Sequence, residues 1–435
     1  MPYKYHIITL GCKVNQCESD AIARSLDGEG WLPVSKGEKA DLCIVNTCTV
    51  TQRAAMQSRQ TVRQMIRSHP GACIAVTGCY AQTEPEALKK ISGISYIIGH
   101  GHKHEIPECA LSLLQKKQDS PLTILSDVSR EQHFGQFPLT GFGDRTRPVL
   151  KIQDGCNSFC SYCIVPYARG RSRSMPTADV LGSIRKLAEA GFREVVLSGI
   201  HAGCYGHDLI PKTNLYELLC RIGEQALIDR VRISSVEPHE LGREMIRFIA
   251  GSARFCKHFH IPLQSGDDGI LRKMGRPYTR NDFRDLILFI RDTVPDAAIG
   301  ADTLIGFPGE NDAAFENTFR LAEELPLSYL HVFPFSIRKG TRAADFPAQI
   351  PAAAVKKRCA QMRKLGEEKK KLFYESFIGK TVEVLAENRR DPASGHLKGI
   401  SSQYLSVLFK GEDELKNRIV RVSIREVREG NLAVS

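Results

Sequence analysis

The stretch Pro148–Ser174, PVLKIQDGCNSFCSYCIVPYARGRSRS, decides how this chain is read. It opens on a strand-like apolar run, Pro148–Gln153, and Cys156, Cys160 and Cys163 follow at once with the spacing C-x3-C-x2-C. Three thiols are one short of a closed structural zinc site and an odd number for a disulfide framework. Three thiolates can hold three irons of a cubane 4Fe–4S cluster and leave the fourth iron an open position, where chemistry takes place. The alternative is a zinc site that borrows a distant fourth ligand.

Working outward, the strand–helix rhythm that begins at Pro148 repeats six times. The further strands are Glu194–Ser198, Val231–Val236, His258–Leu263, Ala298–Ile305 and Tyr329–Phe333. Helical patterns such as Thr177–Ala190, Arg280–Asp292 and Asn311–Glu324 fall between them. Residues 141–371 therefore predict a partial (βα)6 barrel of parallel strands, with its active site at the strands' carboxyl ends. The cysteine loop follows the first strand, where a barrel puts chemistry.

Residues 1–140 read as repeated strand–loop–helix units, with strands at Tyr5–Leu10, Asp41–Asn46, Cys73–Thr77 and Ile94–Ile98. Helices are expected at Glu18–Asp27, Arg53–His69 and Glu84–Lys90, and a helical piece at Pro107–Lys117 leads into a linker. Apolar strands alternating with helices give a doubly wound parallel sheet, so the whole chain is an α/β protein. Three strands end in a cysteine: TLGC gives Cys12, VNTC gives Cys48 and VTGC gives Cys79. The carboxyl ends of such strands lie along one edge, where ligands bind, so these thiols can converge in space. Gly11 and Gly78 allow the sharp turns this needs. The alternative is three unrelated buried thiols. From about Leu372 the pattern changes to β runs broken by Gly and Asn, and residues 372–435 read as a small antiparallel β-barrel.

Composition narrows the class. Charge is 25% and hydrophobic content 42%, ordinary for a globular protein, and no apolar run is long enough to span a membrane. The N-terminus lacks the plan of a secretory signal, so the chain is expected to stay in a reducing cytoplasm. Fourteen cysteines there are metal ligands and buried thiols rather than disulfides. The net charge of +11 invites a polyanion. It concentrates at 145–173, six basic residues against one acidic, and at 351–372, eight against two.

With these motifs in place the chain resembles the radical S-adenosylmethionine enzymes, and more closely the tRNA-modifying methylthiotransferases among them. The resemblance rests on TLGCKVNQCESD, NTCTVTQRA, TGCYAQ, GCNSFCSYCIVPYARGRSRS, ISSVEP, HIPLQSGDDGILRKMGRPYT, ADTLIGFPGE and HVFPFSIRKGTRA, and spans nearly the whole length. It implies that Cys156, Cys160 and Cys163 bind the 4Fe–4S cluster that reduces S-adenosylmethionine. It implies that Cys12, Cys48 and Cys79 bind a second, auxiliary 4Fe–4S cluster. It further implies that Tyr162, Ser198, Gly199, Glu237, Gln264 and Asp302 are candidates to hold S-adenosylmethionine or the nucleoside, and that 372–435 is an RNA-binding TRAM-like module. In the family one S-adenosylmethionine donates a methyl group to sulfur and a second yields the radical that opens a C–H bond. The motifs look most like the branch that adds methylthio at C2 of N6-threonylcarbamoyladenosine beside the anticodon. Arg169, Arg171 and Arg173 then suit the phosphate backbone of a tRNA partner. A flavodoxin-type reductant would supply electrons. Cys17 departs from that branch and reads as a packing thiol. Cys204, with His201 and His207 nearby, is the remaining cysteine best placed for a role. Open alternatives are a ribosomal protein side chain or another tRNA adenosine as substrate, and a non-enzymatic iron–sulfur RNA-binding protein.

Overall fold

The structure is a computed structural model and describes residues 2–35, 37–115, 120–135, 145–428 and 432–435. The expected boundary at 140/141 and the end of the helical piece Pro107–Lys117 lie outside the described residues. The chain divides into two compact units, the first made of Met1–Gly143, Gln153–Met175 and Ser336–Ala344. The second contains Asp144–Ile152, Pro176–Phe335 and Asp345–Ser435. No described helix is long and apolar enough to cross a membrane.

The first unit is built on β1 (Lys4–Thr9), α1 (Lys13–Gly28), β2 (Leu32–Pro33), β3 (Leu42–Thr47), α2 (Gln52–Ser68) and β4 (Cys73–Gly78). Two short helices, α3 (Cys79–Thr83) and α4 (Pro85–Lys89), follow, then β5 (Tyr96–Ile98), α5 (Ile106–Gln115) and β6 (Leu122–Ile124). The strands form one all-parallel sheet in the order β2-β1-β3-β4-β5-β6. Helices cover both faces. Ile22, Leu26, Ile106 and Ala110 of α1 and α5 pack on one side, and Val62, Met65 and Leu88 of α2 and α4 on the other. The strand order reverses between β1 and β3, the kind of crevice where open α/β sheets bind ligands. Helix α1 starts at Lys13, five residues before the expected Glu18, because Cys12 is its N-cap in extended conformation. With Val14 its only apolar residue, the run KVNQ hides that first turn from a periodicity reading.

In the second unit the six expected strands are β7 (Val149–Asp154), β9 (Glu194–Gly199), β10 (Arg230–Ile233), β11 (His258–Gln264), β12 (Ala298–Ile305) and β13 (Tyr329–Pro334). The unit boundary falls within β7. A two-residue strand, β8 (Arg173–Ser174), lies antiparallel to the end of β7, after the short helix α6 (Val165–Arg169). The ladders β9–β10, β11–β12 and β12–β13 are parallel. Between β10 and β11 pairing thins to a Val231–Phe255 bridge and the Val236 N to His260 O bond of 3.1 Å. The helices between strands are α7 (Thr177–Glu189), α8 (Leu215–Gln225), α9 (Arg243–Gly251), α10 (Asp268–Met274), α11 (Arg280–Thr293) and α12 (Asp312–Glu324). Helix α11 begins with a capping box between Thr279 and Asp282.

A 24-residue helix, α13 (Ala352–Glu375), leads to β14 (Thr381–Arg390), β15 (Leu397–Ser401), β16 (Ser406–Phe409), β17 (Ile419–Ser423), β18 (Glu426–Arg428) and β19 (Leu432–Val434). Their order is β17-β14-β15-β16-β19-β18. One pair, β16–β19, is parallel, which corrects the all-antiparallel expectation. The chain crosses from β16 to the far edge at β17, so the last hairpin returns in the direction of β16. Only Ile424 and Arg425 separate the two edge strands β17 and β18. Laid flat, six strands put their edges about 24 Å apart, more than twice what two linking residues span. The sheet is therefore rolled, and Tyr374, Phe377, Val384, Leu397, Val407 and Phe409 fill its core.

Candidate functional site

Cys12, Cys48 and Cys79 each leave the carboxyl end of a strand, after β1, β3 and β4. Two glycines let them meet. Gly11, at φ +101°, passes so close to Cys48 that a Cβ there would lie 2.9 Å from both Cβ and Sγ of Cys48. Gly78, at φ +95°, has the Thr47 carbonyl oxygen 2.4 Å from where its Cβ would be. The loops are also tied together by side chains. Asn15 Nδ2 donates to Leu10 O at 2.8 Å and Thr47 O at 3.1 Å, and Thr47 Oγ1 donates to Thr77 O at 2.5 Å. Burial pushes the Cys48 thiol up to about 11, and the neighbouring Cys79 and Cys12 add to the rise. Burial raises Cys79 too, opposed by the charges of Arg169 and Lys103. Cys48 and Cys79 are buried and Cys12 is exposed beside them, so two of the three thiols are costly as bare thiolates and gain from a shared metal centre.

The second set sits on the loop after β7. Gly155, at φ +71°, has the Arg171 carbonyl oxygen 1.9 Å from its would-be Cβ, so only glycine lets the loop close. Cys156 N donates to Gly170 O at 3.1 Å, Cys163 N to Cys160 O at 3.0 Å and Ser158 N to Cys156 Sγ at 3.4 Å. Phe159 takes a left-handed φ of 43°, rare for an aromatic residue, and turns the chain between the first two thiols. Tyr162 is half-buried between Cys160 and Cys163. The donors fit iron–sulfur ligation: two sets of three thiols, glycine-shaped backbone against each, and an amide aimed at a sulfur.

The arginines after this loop do not form the phosphate track expected of them. Arg169 is 1% exposed and donates to Asp154 at 2.8 Å, to Glu18 at 3.1 and 3.3 Å and to Asn15 at 2.5 Å. Lys103 Nζ donates to Glu18 at 2.6 Å in the same buried cluster. His100 lies 3.3 Å from Asp154, and burial, together with Arg169 and Lys103, pushes it down to about 4, so it is neutral. Arg173 is buried and donates to the carbonyls of Arg169 and Arg171. A buried cation is held by buried partners, and two of the three arginines are spent within the fold. Arg171 alone is exposed.

In the second unit Ser198 and Gly199 end β9, and Gln264 ends β11 with φ 63°. Glu237 follows β10, and both its carboxylate oxygens accept from Arg276 Nη2, at 2.9 and 2.7 Å. Asp302 is not at a strand end: it is the fifth of eight residues in β12. It accepts from His260 at 2.8 Å and lies 3.2 Å from His331, and these partners outweigh burial to hold its carboxyl well below the usual range. His260 also meets the Tyr329 hydroxyl at 2.9 Å, so Asp302 belongs to a polar ladder across β11, β12 and β13. Cys204 gains a partner in Glu240, at 3.2 Å, while His201 Nε2 meets the same carboxylate at 2.8 Å. The thiol lies 3.5 Å from Nδ1 and 3.7 Å from Nε2 of His201, and the other carboxylate oxygen of Glu240, Oε2, is buried without a hydrogen-bond partner among the described residues. Cys17 is half-buried on α1. Sequence reading missed Asn15, Glu18, Lys103 and Asp154. The only local sign was a Glu and an Asn on the helix after Cys12, and their partners lie 85 to 154 residues away.

Residues 4–99 match the uncharacterized protein family UPF0004 and residues 150–322 the radical SAM superfamily. The threonylcarbamoyladenosine tRNA methylthiotransferase MtaB of Aquifex aeolicus is 34% identical, over 96% of this chain and 98% of that one. The chain belongs to the radical-SAM tRNA methylthiotransferase family. The methylthiotransferase is also 33% identical to the tRNA-2-methylthio-N(6)-dimethylallyladenosine synthase of Pelotomaculum thermopropionicum, over 99% of this chain and 96% of that one. In fold it is similar to the radical S-adenosylmethionine methyltransferase TsrM of Kitasatospora setae, with a TM-score of 0.59 and 16% identity over 78% of this chain and 75% of that one. Family membership makes this methylthiotransferase an enzyme acting on tRNA and implies one 4Fe–4S cluster and S-adenosylmethionine.

Proposed function

We propose that this methylthiotransferase adds a methylthio group to C2 of N6-threonylcarbamoyladenosine next to the anticodon of tRNA. One observation carries the mechanistic part: the first unit holds two separate sets of three thiols, each with its own glycine-shaped loop. Cys156, Cys160 and Cys163 would hold the cluster whose open iron takes S-adenosylmethionine. Cys12, Cys48 and Cys79 would hold the second cluster, the sulfur donor. When bound, these groups supply methyl transfer, sulfur and radical chemistry; the protein binds, orients and shields them. Tyr162 would pack on the adenine. Ser198, Gly199 and Gln264 offer polar contacts at strand ends for cofactor or nucleoside, while Glu237 and Asp302 would act through Arg276 and His260. Arg171 would meet RNA, and the rolled C-terminal sheet suits a TRAM-like module. The partial (βα)6 arrangement of 141–371, a flavodoxin-type electron donor and a cytoplasmic setting complete the reading.

The threonylcarbamoyl assignment is supported by the names of the relatives from Aquifex aeolicus and Bacillus subtilis, both 34% identical. The second reading, dimethylallyladenosine as substrate, is favoured by relatives of that name at 33% identity. Mass analysis of nucleosides from total tRNA, with the gene deleted and restored, separates the two. Loss and return of the methylthio-threonylcarbamoyl nucleoside is the expected result. Loss of the dimethylallyl one instead overturns the substrate, and no change in either points to a ribosomal protein. Replacing Cys12, Cys48 and Cys79 by Ala is expected to leave 5′-deoxyadenosine formation intact and abolish methylthio transfer.

A further inference from the structure

The two sets of cysteines are joined by one buried side chain. Arg169 closes α6, six residues after Cys163, and its Nη1 holds Asp154, two residues before Cys156. A single guanidinium therefore ties both ends of the cysteine loop. Its other bonds go to Glu18 and Asn15 on α1, the helix that Cys12 caps. Asn15 in turn bonds the carbonyls of Leu10 and Thr47, two residues before Cys12 and one before Cys48. Thr47 continues the chain of bonds to the Thr77 carbonyl, two residues before Cys79. The charges inside are two cations, Arg169 and Lys103, and two anions, Glu18 and Asp154, all at most 3% exposed. The charges balance two against two, and a bidentate, permanently charged guanidinium is the group suited to several fixed acceptors at once.

We propose that Arg169 is a positioning residue common to both cysteine sets, which fixes one against the other and keeps a cation beside the N-terminal set. The proposal rests on the reading that Cys12, Cys48 and Cys79 hold a second cluster. A cation close to a cluster favours its more negative, reduced state and so raises its reduction potential. Lysine in place of Arg169 keeps the charge but cannot span Asp154, Glu18 and Asn15 together.

The test uses the full chain reconstituted with iron and sulfide. Substituting Cys156→Ala, Cys160→Ala and Cys163→Ala leaves only the N-terminal set, and about four irons per chain then establishes the second cluster independently. Near-zero iron in that background removes the underlying reading, and the proposal with it. In the same background a redox titration followed by electron paramagnetic resonance reads the potential. Arg169→Gln is expected to shift the midpoint to lower potential and Arg169→Lys to restore most of the shift. In the protein with all six cysteines, Arg169→Lys is expected to lower methylthio product per 5′-deoxyadenosine at least tenfold with its iron retained. Full iron with an unchanged midpoint in Arg169→Gln and an unchanged product ratio in Arg169→Lys overturns the proposal. If Arg169→Gln does not fold, the product ratio of Arg169→Lys decides it alone.

Discussion

Gly78 shows how one residue sets the site's geometry. Its backbone, φ 95° and ψ −170°, lies in a region that is essentially glycine-only, and the Thr47 carbonyl fills the space a side chain would take. Gly78→Ala is therefore expected to destabilise the first unit by at least about 3 kcal/mol. It is also expected to lower iron content, since Cys79 is the next residue. Thermal unfolding and an iron assay check both, and an unaltered melting temperature would rule the argument out. The cysteines themselves were legible in the sequence because a thiol just after an apolar strand has a known place in a parallel sheet. Arg169 and Arg173 were not. Read locally they are exposed charge on a loop, and only tertiary contacts to residues as distant as Asn15 reveal them as buried.

At the level of elements, β9 and β10 are neighbours whose facing residues are charged yet fully buried. Glu194 accepts from Arg230 at 2.6 Å and Arg232 at 2.9 Å, and the remaining guanidinium N–H groups reach carbonyls of Ile400 and Ser401 at the end of β15. Burial alone would raise the Glu194 carboxyl, but Arg232 and Arg230 outweigh it and hold it at about 2. Since the folded value lies below the unfolded one, about 4.3, the pair stabilises fully above that pH. The contribution, about 3 kcal/mol, is lost as the pH falls from about 4.3 towards 2. Glu194→Gln leaves two buried guanidiniums without their anion and is expected to cost about 3–5 kcal/mol at neutral pH. Urea midpoints should show the gap between the two proteins narrowing as pH drops from 5.5 to 3; a constant gap rejects the assignment. Strands β11 to β13 were placed from sequence within a residue or two, because apolar β-branched runs fix them. The parallel β16–β19 pair was not legible, since it depends on which edge the chain crosses to.

Across the whole molecule the basic stretch 351–372 divides by function. Arg358 is buried against Glu310 and Asp312, and Lys369 caps the end of α12 through the carbonyls of Glu323 and Leu325. Lys357, Lys364 and Lys371 are exposed and recur every seven residues, one line along α13 some 21 Å long at 1.5 Å per residue. Such a row suits successive phosphates. Replacing all three by Ala is expected to weaken tRNA binding and reduce the slope of log affinity against log salt by up to about 2. Binding isotherms at several salt concentrations test this, and an unchanged slope excludes the row from the interface. The composition of the run pointed to RNA but could not say which lysines were available, because that depends on what α13 packs against.

The first unit is assembled from three separated stretches of chain, the last ending at Ala344. Arg338 from that stretch donates to Thr49 at 2.6 Å, immediately after Cys48. During synthesis, Cys79 leaves the ribosome long before its unit can be finished; the 265 residues from there to Ala344 take roughly 13 to 50 s at usual elongation rates. The nascent chain thus carries exposed thiols through most of its translation, and iron delivered early would meet an incomplete cradle. If Cys12, Cys48 and Cys79 hold a cluster as proposed, its assembly waits for a segment that contains no cysteine.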